Sequence, residues 1–425
     1  MYSLSIVLGF AIVAVADLGQ FALQKVLQNG IEVFGPPPSP FPYSSSSSSS
    51  PPSSPPSPSS LSSSSSSSSS SHPYASSPPK SYPNWMSTLP DSTPLAHLNI
   101  PGTHDAATWN YTQSTQTSLS PATRCDGTTV YPAVVYRCQR LGLAAALDAG
   151  VRFFDLRVAL DPLGSNLVFW HSAALLSARA TVGDVLFGFY DWLEEHRGEV
   201  VLLSFQYEVG TQANASFTTA AQDALREVLM DGVARGYVRR DGGGYLGTLG
   251  ESRGKIVLVR RFDLDGEGEE GLPGLHLSPT KWPDNDPDAF ALVYNTTTNA
   301  TAYIEDYYEP DALGSNSTVE ENIATKMDAV KAHLQKAAAA YAVEGGQRDV
   351  DSLFITFASA EHNMNNPPVF PETMALGNGT EVTPNGGVNH QLVSLLQGMR
   401  GSRLGIVVVD FYDEPAELVG LILRS

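Results

Sequence analysis

The sequence predicts an α/β protein built on a TIM-type (β/α)8 barrel, preceded by a disordered tract rich in serine and proline. Short apolar segments alternate with segments of helical periodicity from residue 85 onward, as in repeated βα units. Several of the apolar segments are continuous runs, which is expected of parallel strands that are covered on both faces. Residues 36–84 consist largely of serine and proline and lack the apolar residues that a core requires.

Candidate strands and candidate helices alternate over most of this region. The eight strands are Leu95–Ile100, Val151–Val158, Leu167–His171, Val200–Tyr207, Lys255–Phe262, Ala302–Tyr307, Leu353–Ala358 and Leu404–Phe411. The helices are Leu143–Ala149, Val182–Glu195, Phe217–Met230, Glu320–Ala340, His390–Met399 and Ala416–Leu423. One closed barrel accommodates this number of units in a single domain. An open doubly wound sheet is the alternative, although no Gly-x-Gly-x-x-Gly motif follows the first strand to support dinucleotide binding.

The N-terminal part divides into three segments. Residues 1–16 are predicted to be a signal peptide, because their apolar run is short for a membrane span and ends in an Ala-Val-Ala cleavage site. An uncleaved anchor or a buried strand is the alternative. Residues 17–35 could form a short helix or a hairpin, and residues 36–84 are expected to be a disordered linker, O-glycosylated or neutral. The barrel would then occupy residues 85–425.

Two further features agree with a secreted or cell-surface protein. Six sequons for N-glycosylation are present, at Asn110, Asn214, Asn295, Asn299, Asn316 and Asn378. The only two cysteines, Cys125 and Cys138, could form a disulfide in an oxidising compartment, which would stabilise the fold by about 2–3 kcal/mol. Two free buried thiols are the alternative.

The charge of the chain excludes one class of partner. The sequence has 44 acidic and 25 basic residues, a net charge of −19. Nucleic acid binding needs clustered cations, so we expect none. Contact with a lipid surface should be local rather than through a polybasic anchor. Trp85, Trp109 and Trp282 are candidates for that contact, with burial in the core as the alternative, and we expect a monomer.

Charged and polar side chains follow the apolar segments at their C-terminal ends, where barrels of this type carry their active sites. They are His104, Asp105, Asp155, Arg157, His171, Glu208, Arg261, Asp306, Tyr308 and Asp410. Each alone has an ordinary structural explanation, such as a salt bridge or a helix cap. Their concentration at one rim is more informative, because charged groups inside a barrel mouth must be paired to be tolerated.

Six segments resemble the bacterial-type phosphatidylinositol-specific phospholipase C family, including its X domain, in the manner of a secreted, fungal-like member. The segments are Leu-Asn-Ile-Pro-Gly-Thr-His-Asp (98–105), Gly-Val-Arg-Phe-Phe-Asp-Leu-Arg (150–157), Val-Phe-Trp-His (168–171), Gly-Lys-Ile-Val-Leu-Val-Arg-Arg (254–261), Glu-Asp-Tyr-Tyr (305–308) and Gly-Ile-Val-Val-Val-Asp-Phe-Tyr (405–412). They occur in the family's order across essentially all of residues 85–425. The first box, followed by Arg-Phe-Phe-Asp-Leu-Arg, is the specific part of the resemblance.

The resemblance implies a phosphoric diester hydrolase that acts on an inositol phospholipid or a GPI-type glycolipid. His104 would be the general base that takes the proton of the inositol 2-hydroxyl, which attacks phosphorus and forms a cyclic phosphate. His171 would be the general acid that protonates the leaving diacylglycerol oxygen. Asp410 would orient His104, Asp105 would orient His171, and Arg157 would bind the phosphate oxygens. Imidazole can act as either acid or base near neutral pH, and a guanidinium matches phosphate in a bidentate manner.

Arg157 also bears on cofactors. Eukaryotic inositide phospholipases C resemble this barrel but place a calcium-binding acidic residue at the matching position. The resemblance therefore implies that the arginine replaces the charge of the metal, and we expect no metal and no other cofactor. An acidic metal site formed by Asp155 and Glu208 is the alternative, since hard cations favour such oxygens.

Recognition of inositol falls, by the same resemblance, to Arg261, Asp306 and Tyr308, with Asp155 and Glu208 in the same wall. This sequence has Gln206-Tyr207 where bacterial members carry a lysine pair, and Ser172 where a glycine is expected. Both departures leave the preferred headgroup open.

Three other interpretations compete with an active phospholipase. The barrel could bind inositol lipids without turnover, although both histidines and both partner aspartates are present. The serine and proline tract could be the working part of a cell-surface protein. A metal-dependent glycerophosphodiester phosphodiesterase is also conceivable, but the His-Arg-Gly and Glu-Asn-Thr signatures expected of that family are absent.

Overall fold

The computed structural model describes residues 24–36, 80–123, 130–208, 218–240, 244–264, 272–311, 316–341 and 352–425. The predicted signal peptide, most of the serine and proline tract, Cys125 and Asn214 lie outside these ranges. Within the described ranges, no helix is both long enough and apolar enough to cross a bilayer.

The strands of the described residues form a nearly closed barrel. They are β1 (Ile100–Thr103), β2 (Phe153–Leu160), β3 (Leu167–His171), β4 (Ala174–Leu175), β5 (Val200–Tyr207), β6 (Lys255–Arg261), β7 (Leu275–His276), β8 (Phe290–Asn295), β9 (Ala300–Glu305), β10 (Leu353–Phe357) and β11 (Ile406–Val409). Eight of them are parallel neighbours in the order β7-β6-β5-β2-β1-β11-β10-β9, and β8 pairs antiparallel with β9. This arrangement confirms the predicted TIM-type barrel.

The helices lie outside the strands. They are α1 (24–34), α2 (Gln113–Thr123), α3 (Leu143–Ala149), α4 (Val182–Glu195), α5 (Thr219–Met230), α6 (Ala234–Tyr237), α7 (Leu249–Ser252), α8 (Val319–Tyr341), α9 (Pro371–Leu376), α10 (Val388–Gly398) and α11 (Leu418–Ile422). The bounds of α3 and α4 are those predicted, and α4 begins at a capping box in which the Thr181 hydroxyl accepts from the Asp184 backbone N–H. Part of the 17–35 segment is thus helical rather than a hairpin.

Two apolar clusters follow from the alternation of side chains along each strand. Phe153 and Leu202 point into the barrel and belong to a cluster that fills its interior. Their neighbours Phe154 and Leu203 point outward and belong to the larger cluster between the strands and the helices. The same alternation aims Asp155 and Arg157 of β2 into the barrel mouth.

Two strand predictions were wrong in placement. Residues 95–97 form a 3-10 helix after Pro94, and the first barrel strand begins only at Ile100. The segment Leu167–His171 has the predicted bounds but pairs antiparallel with β2, because Asp161 accepts backbone N–H groups in the turn between them and folds a hairpin. The eighth parallel strand of the barrel is β7 instead of β3. With only two residues, β7 is too short to be recognised as an apolar run in the sequence.

The disulfide predicted between Cys125 and Cys138 stays a prediction, because Cys125 lies outside the described residues. Among the described residues Cys138 has no disulfide partner; it is fully buried, and its Sγ faces the Tyr136 carbonyl oxygen at 3.7 Å. Burial raises the pKa of this thiol well above its usual value, and the charge of Asp410 adds to the shift. The thiol therefore behaves as a small buried group at the floor of the barrel mouth.

Most of the predicted glycosylation sites that are described are exposed, namely Asn110, Asn299, Asn316 and Asn378. Asn295 is half-buried, and its Nδ2, the atom a glycan would modify, donates a hydrogen bond to the Gly244 carbonyl at 3.5 Å. Of the described sequons we therefore expect Asn295 to be used least.

Candidate active site

The ten residues predicted for the site come together at the C-terminal ends of the barrel strands. Eight of them line a cavity of about 1260 Å³ in the barrel mouth: His104, Arg157, His171, Glu208, Arg261, Asp306, Tyr308 and Asp410. Asp105 and Asp155 are buried beneath this lining and contact it. The structure thus assembles in space what the sequence places more than 300 positions apart, as in the contact of His104 with Asp410 (a separation of 306).

His104 has the geometry of a base. Its Nδ1 lies 2.9 Å from Asp410 Oδ1, a carboxyl group whose pKa burial raises well above its usual value. Because the Arg157 guanidinium can only donate, the proton of the neutral ring lies on Nδ1. Its Nε2 accepts from Arg157 Nη2 at 2.9 Å. Burial lowers the pKa of His104 well below 6.5, and the charge of Arg157 lowers it further. The ring is therefore neutral at pH 7 and presents a lone pair at Nε2.

His171 is held differently from the prediction. Its Nδ1 donates to the Tyr136 carbonyl oxygen at 2.8 Å, so a backbone group rather than Asp105 fixes the ring orientation. Its Nε2 lies 3.2 Å from Asp105 Oδ2. Burial, followed by the charge of Arg157, lowers the pKa of His171 to about 4. The Nε2 of the neutral ring is then an acceptor and needs a donor opposite it.

Asp105 can be that donor. Burial raises its pKa to about 7, against the opposing effect of Arg157, so near neutral pH the carboxyl group retains a proton in part of the molecules. Oδ2 lies 3.2 Å from His171 Nε2 and 3.3 Å from His104 Nε2, and since His104 Nε2 already accepts from Arg157, a proton on Oδ2 satisfies His171. Asp105 and His171 therefore hold one dissociable proton between them, which is the property required of a general acid.

Arg157 links the two histidines through its carboxylate partners. Its Nε lies 3.1 Å from Asp105 Oδ1 and 3.2 Å from Asp155 Oδ2, and its Nη1 lies 3.3 Å from Glu208 Oε1. Burial alone would lower the pKa of the guanidinium, but these carboxylates raise it well above its usual value. Arg157 is thus a permanent cation, held in position beside His104 and Asp105.

The backbone is strained at two points beside these groups. Asp105 adopts φ 39° and Ser172 adopts φ 50°, both in the left-handed region that favours glycine. Each residue directly follows one of the two histidines, so the turns fix where the imidazoles point. The position of Ser172 gives the physical reason why a glycine is expected there.

The opposite wall of the cavity is polar and aromatic. The Arg261 guanidinium stacks over Trp282 at 3.8 Å from the ring centre, and Trp282 Nε1 donates to Asp306 Oδ2 at 2.9 Å. Tyr308 donates its hydroxyl proton to Asp284 Oδ1 at 2.7 Å. This wall offers a cation, a carboxylate and ring faces to a bound ligand.

Sequence reasoning missed several supporting groups. The Tyr136 carbonyl gives no sequence signal, because any residue supplies one. The sequence predicts Trp282 as a membrane contact or a core residue, whereas it lines the cavity and packs against Arg261. Below this wall, Lys326 of α8 binds Glu305 Oε1 at 2.7 Å and the Tyr307 carbonyl at 2.8 Å, which secures the segment that carries Asp306.

Among the described residues, two sets of side chains could meet around a metal ion, and both include Cys138. One set adds His104 and Asp410, and the other adds Asp105 and His171, with ligand atoms within 4.8 Å of one another. A cation in either set would lie beside the Arg157 guanidinium, which is already in contact with His104 and Asp105. Electrostatic repulsion therefore opposes a resident metal in this position.

The pKa of Asp105 gives a pH prediction. A carboxyl group whose pKa is raised to about 7 keeps its proton below that pH and loses it above. We therefore expect kcat/KM to fall to about half of its acid-side value at pH 7 and to approach a tenfold fall per pH unit above about pH 8, a range in which His104 is deprotonated.

The control is Asp105→Asn, which cannot titrate. Its rate should be lower, and the alkaline fall near pH 7 should disappear. An unchanged alkaline fall in this variant would assign the titration to another group.

Comparisons with known proteins show what the chain is similar to. A PI-PLC X domain-containing protein 3 from Danio rerio is 34% identical over 152 residues, which cover 32% of this chain and 47% of the relative. A 1-phosphatidylinositol phosphodiesterase from Listeria monocytogenes is 29% identical over 179 residues, which cover 41% of this chain and 47% of the relative. The matches thus span a little under half of each relative. No family model matches the chain.

The fold comparison covers more of the chain. A variant of the phosphatidylinositol-specific phospholipase C from Staphylococcus aureus has a TM-score of 0.59 at 20% identity, covering 80% of this chain and 96% of that one. At this identity the likeness concerns the fold. In sequence the chain is thus similar to PI-PLC X domain-containing proteins and to a bacterial phosphatidylinositol phosphodiesterase, and in fold it is similar to a bacterial phosphatidylinositol-specific phospholipase C.

Proposed function

We propose that the chain is a phosphodiesterase of the phosphatidylinositol-specific phospholipase C type, which cleaves an inositol phospholipid or a GPI-type glycolipid without a metal ion. One observation carries the proposal. Two neutral imidazoles lie with ring centres 6.4 Å apart at the mouth of the barrel, and one half-buried guanidinium contacts His104 directly and reaches His171 through Asp105. This is the arrangement that an in-line displacement at phosphorus requires.

The base half of the mechanism begins with Arg157. When a phosphate enters, the guanidinium exchanges His104 Nε2 for the non-bridging oxygens, which frees the lone pair of the ring. His104 then takes the proton of the inositol 2-hydroxyl, and Asp410 stabilises the imidazolium through Nδ1. The hydroxyl oxygen forms its bond to phosphorus and closes a five-membered cyclic phosphodiester.

The second half of the mechanism is protonation of the leaving group. The bond from phosphorus to the diacylglycerol oxygen breaks, and that oxygen takes the proton held between Asp105 and His171. The Tyr136 carbonyl keeps the His171 ring in place as its charge changes. Arg157 supplies the positive charge that a metal would otherwise provide to the pentavalent transition state.

The headgroup side of the cavity fits a neutral polyol. Arg261 and Asp306 can each bind hydroxyl groups there, as the resemblance implies. The buried Oε1 of Gln206, which also lines this cavity, has no hydrogen-bond partner among the described residues. An amide at this position favours a hydroxyl over a phosphate as its partner, which argues for an inositol without additional phosphates.

The leaving-group side of the cavity is apolar and exposed. Tyr131 and Met364 line the cavity with 54% and 72% of their surfaces exposed. Tyr131 belongs to the same segment as Tyr136, which holds the acid histidine. The apolar rim therefore lies where the diacylglycerol departs, and we propose that it contacts the lipid surface.

The rim gives a prediction for vesicle substrates. The double variant Tyr131→Glu/Met364→Glu should lose at least about tenfold in activity on phosphatidylinositol vesicles, because two apolar contacts with the lipid are replaced by charges. Activity on a water-soluble inositol phosphodiester should be retained. The matched control is Val233→Glu, an exposed apolar residue of which 51% is accessible and which does not line the cavity. Equal losses on both substrates would contradict a role in lipid contact.

We also propose that the protein is exported, as a secreted or cell-surface glycoprotein and a monomer. The apolar N-terminal run, its Ala-Val-Ala site and the four exposed sequons support export. Endoglycosidase treatment of the protein collected from the medium of a eukaryotic host tests it. A mass unchanged by the enzyme, or retention inside the cells, would contradict this proposal.

The function itself is tested by release of phosphorylated headgroup from phosphatidylinositol vesicles by the full chain. We expect release by the wild type and none above background by His104→Ala. Tight vesicle binding by both proteins without any release would favour an inactive lipid-binding barrel.

A further inference from the structure

We propose that helix α1, encoded before the serine and proline tract, is a positioning element of the active site that ties together the loops following His104 and His171. The inference rests on the proposed function in one respect, because its kinetic test measures phosphodiesterase activity. Its physical basis is independent of catalysis, since it follows from contacts of residues 24–36 with the barrel.

The first tie reaches the loop that carries the base. Trp109 Nε1 donates a hydrogen bond to the Val33 carbonyl at 2.7 Å. Trp109 ends the short 3-10 helix that starts directly after Asp105, so it terminates the strained turn holding both His104 and Asp105. An anchored indole here restricts the freedom of that turn.

The second tie reaches the loop that carries the acid. Glu32 of α1 accepts from Ser177 Oγ at 2.6 Å and from Arg179 Nε at 2.8 Å. Ser177 is buried and its Oγ also accepts the backbone N–H of Ala180 at 3.0 Å, so Glu32 completes the turn between β4 and α4. That turn directly follows the β3–β4 hairpin, which contains His171.

The packing of α1 is close enough to hold both ties. A Cβ atom on Gly30 would lie 2.8 Å from the Asp184 carbonyl oxygen, and one on Gly188 would lie 2.7 Å from the Phe34 ring. Phe34 also meets Phe189 edge to face, with ring centres 5.2 Å apart. Only glycine fits at the two crossing points, so α1 and α4 approach to backbone contact.

The described segments on both sides of the serine and proline tract contact the barrel. Residues 24–36 pack on it as set out above, and Tyr82 donates its backbone N–H to the Asp148 carbonyl at 2.8 Å. The serine and proline tract connects two attached points rather than a free N-terminal segment to a catalytic domain. A boundary drawn after the tract would remove part of the active-site support.

The test uses a soluble inositol phosphodiester and three versions of the protein. In the full chain, Glu32→Met/Trp109→Phe removes the hydrogen bonds of both ties while keeping most of the apolar contact, and should lower kcat by about 10- to 100-fold with little change in KM. Replacement of residues 40–76 by a short Gly-Ser linker should leave kcat unchanged. A chain lacking residues 1–36 should lose kcat like the double variant and regain it when a peptide of residues 22–36 is added, but not when that peptide carries Gly30→Leu.

A readout without turnover separates this inference from the proposed function. The imidazole NMR resonances of His104 and His171 should change in position and titration when α1 is removed, and the peptide should restore them. If the wild type has no phosphodiesterase activity but these changes occur, the proposed function fails and the positioning role stands. If removal of α1 lowers the melting temperature but leaves kcat, its pH profile and the histidine resonances unchanged, α1 is ordinary packing and the inference is overturned.

Discussion

His171→Ala should lower kcat/KM on phosphatidylinositol by about 10²–10⁴-fold, yet cost far less on an inositol phosphodiester that carries a p-nitrophenol leaving group. The difference follows from the role of the Asp105–His171 pair, whose shared proton neutralises the departing alkoxide. Diacylglycerol is a poor leaving group without a proton, whereas p-nitrophenolate departs unaided. Steady-state kinetics on both substrates measures the effect.

The matched control for this variant is Asp105→Asn, which keeps the shape of the pair but removes its titrating carboxyl. It should show the same dependence on the leaving group as His171→Ala. Equal losses on both substrates in the two variants would show that His171 binds or shapes the site rather than supplying a proton.

His104→Ala should lose about 10²–10⁴-fold in kcat/KM on both substrates. The base acts on the attacking hydroxyl, and the quality of the leaving group does not replace it. Asp410→Asn should lose less, because His104 keeps its lone pair at Nε2 while the stabilising charge behind Nδ1 is gone.

Binding separates loss of chemistry from loss of structure in these variants. His104→Ala should retain affinity for a non-hydrolysable inositol phosphonate, since Arg157 and Arg261 still line the cavity. Retained activity on either substrate would remove His104 from the role of base.

Much of the fold could be read from the sequence, because buried parallel strands leave continuous apolar runs. The runs at β2, β5 and β6 therefore gave nearly correct bounds. The direction of β3 could not be read, since an apolar run has the same appearance in a hairpin as in a barrel. β7 escaped notice because two residues carry no periodicity.

The sequence predicts which residues form the site, but it does not predict all of the contacts between them. The order of His104, Arg157, His171 and Asp410 along the chain carried the resemblance, and the structure brings them to one rim. The partner of the His171 Nδ1 is a backbone carbonyl, which no sequence pattern distinguishes. The docking of α1 depends on contacts between residues that lie on opposite sides of the serine and proline tract in the sequence. Composition alone makes that tract look like a domain boundary.

The central claim is a metal-free displacement at phosphorus by the inositol 2-hydroxyl. It is tested most directly by incubating the full chain with phosphatidylinositol vesicles in excess EDTA and following the reaction by phosphorus NMR. The account predicts the appearance of a five-membered cyclic inositol phosphate as the first product, at a rate unaffected by the chelator. Loss of activity in EDTA with recovery on addition of calcium, or an acyclic phosphate formed first, would contradict it.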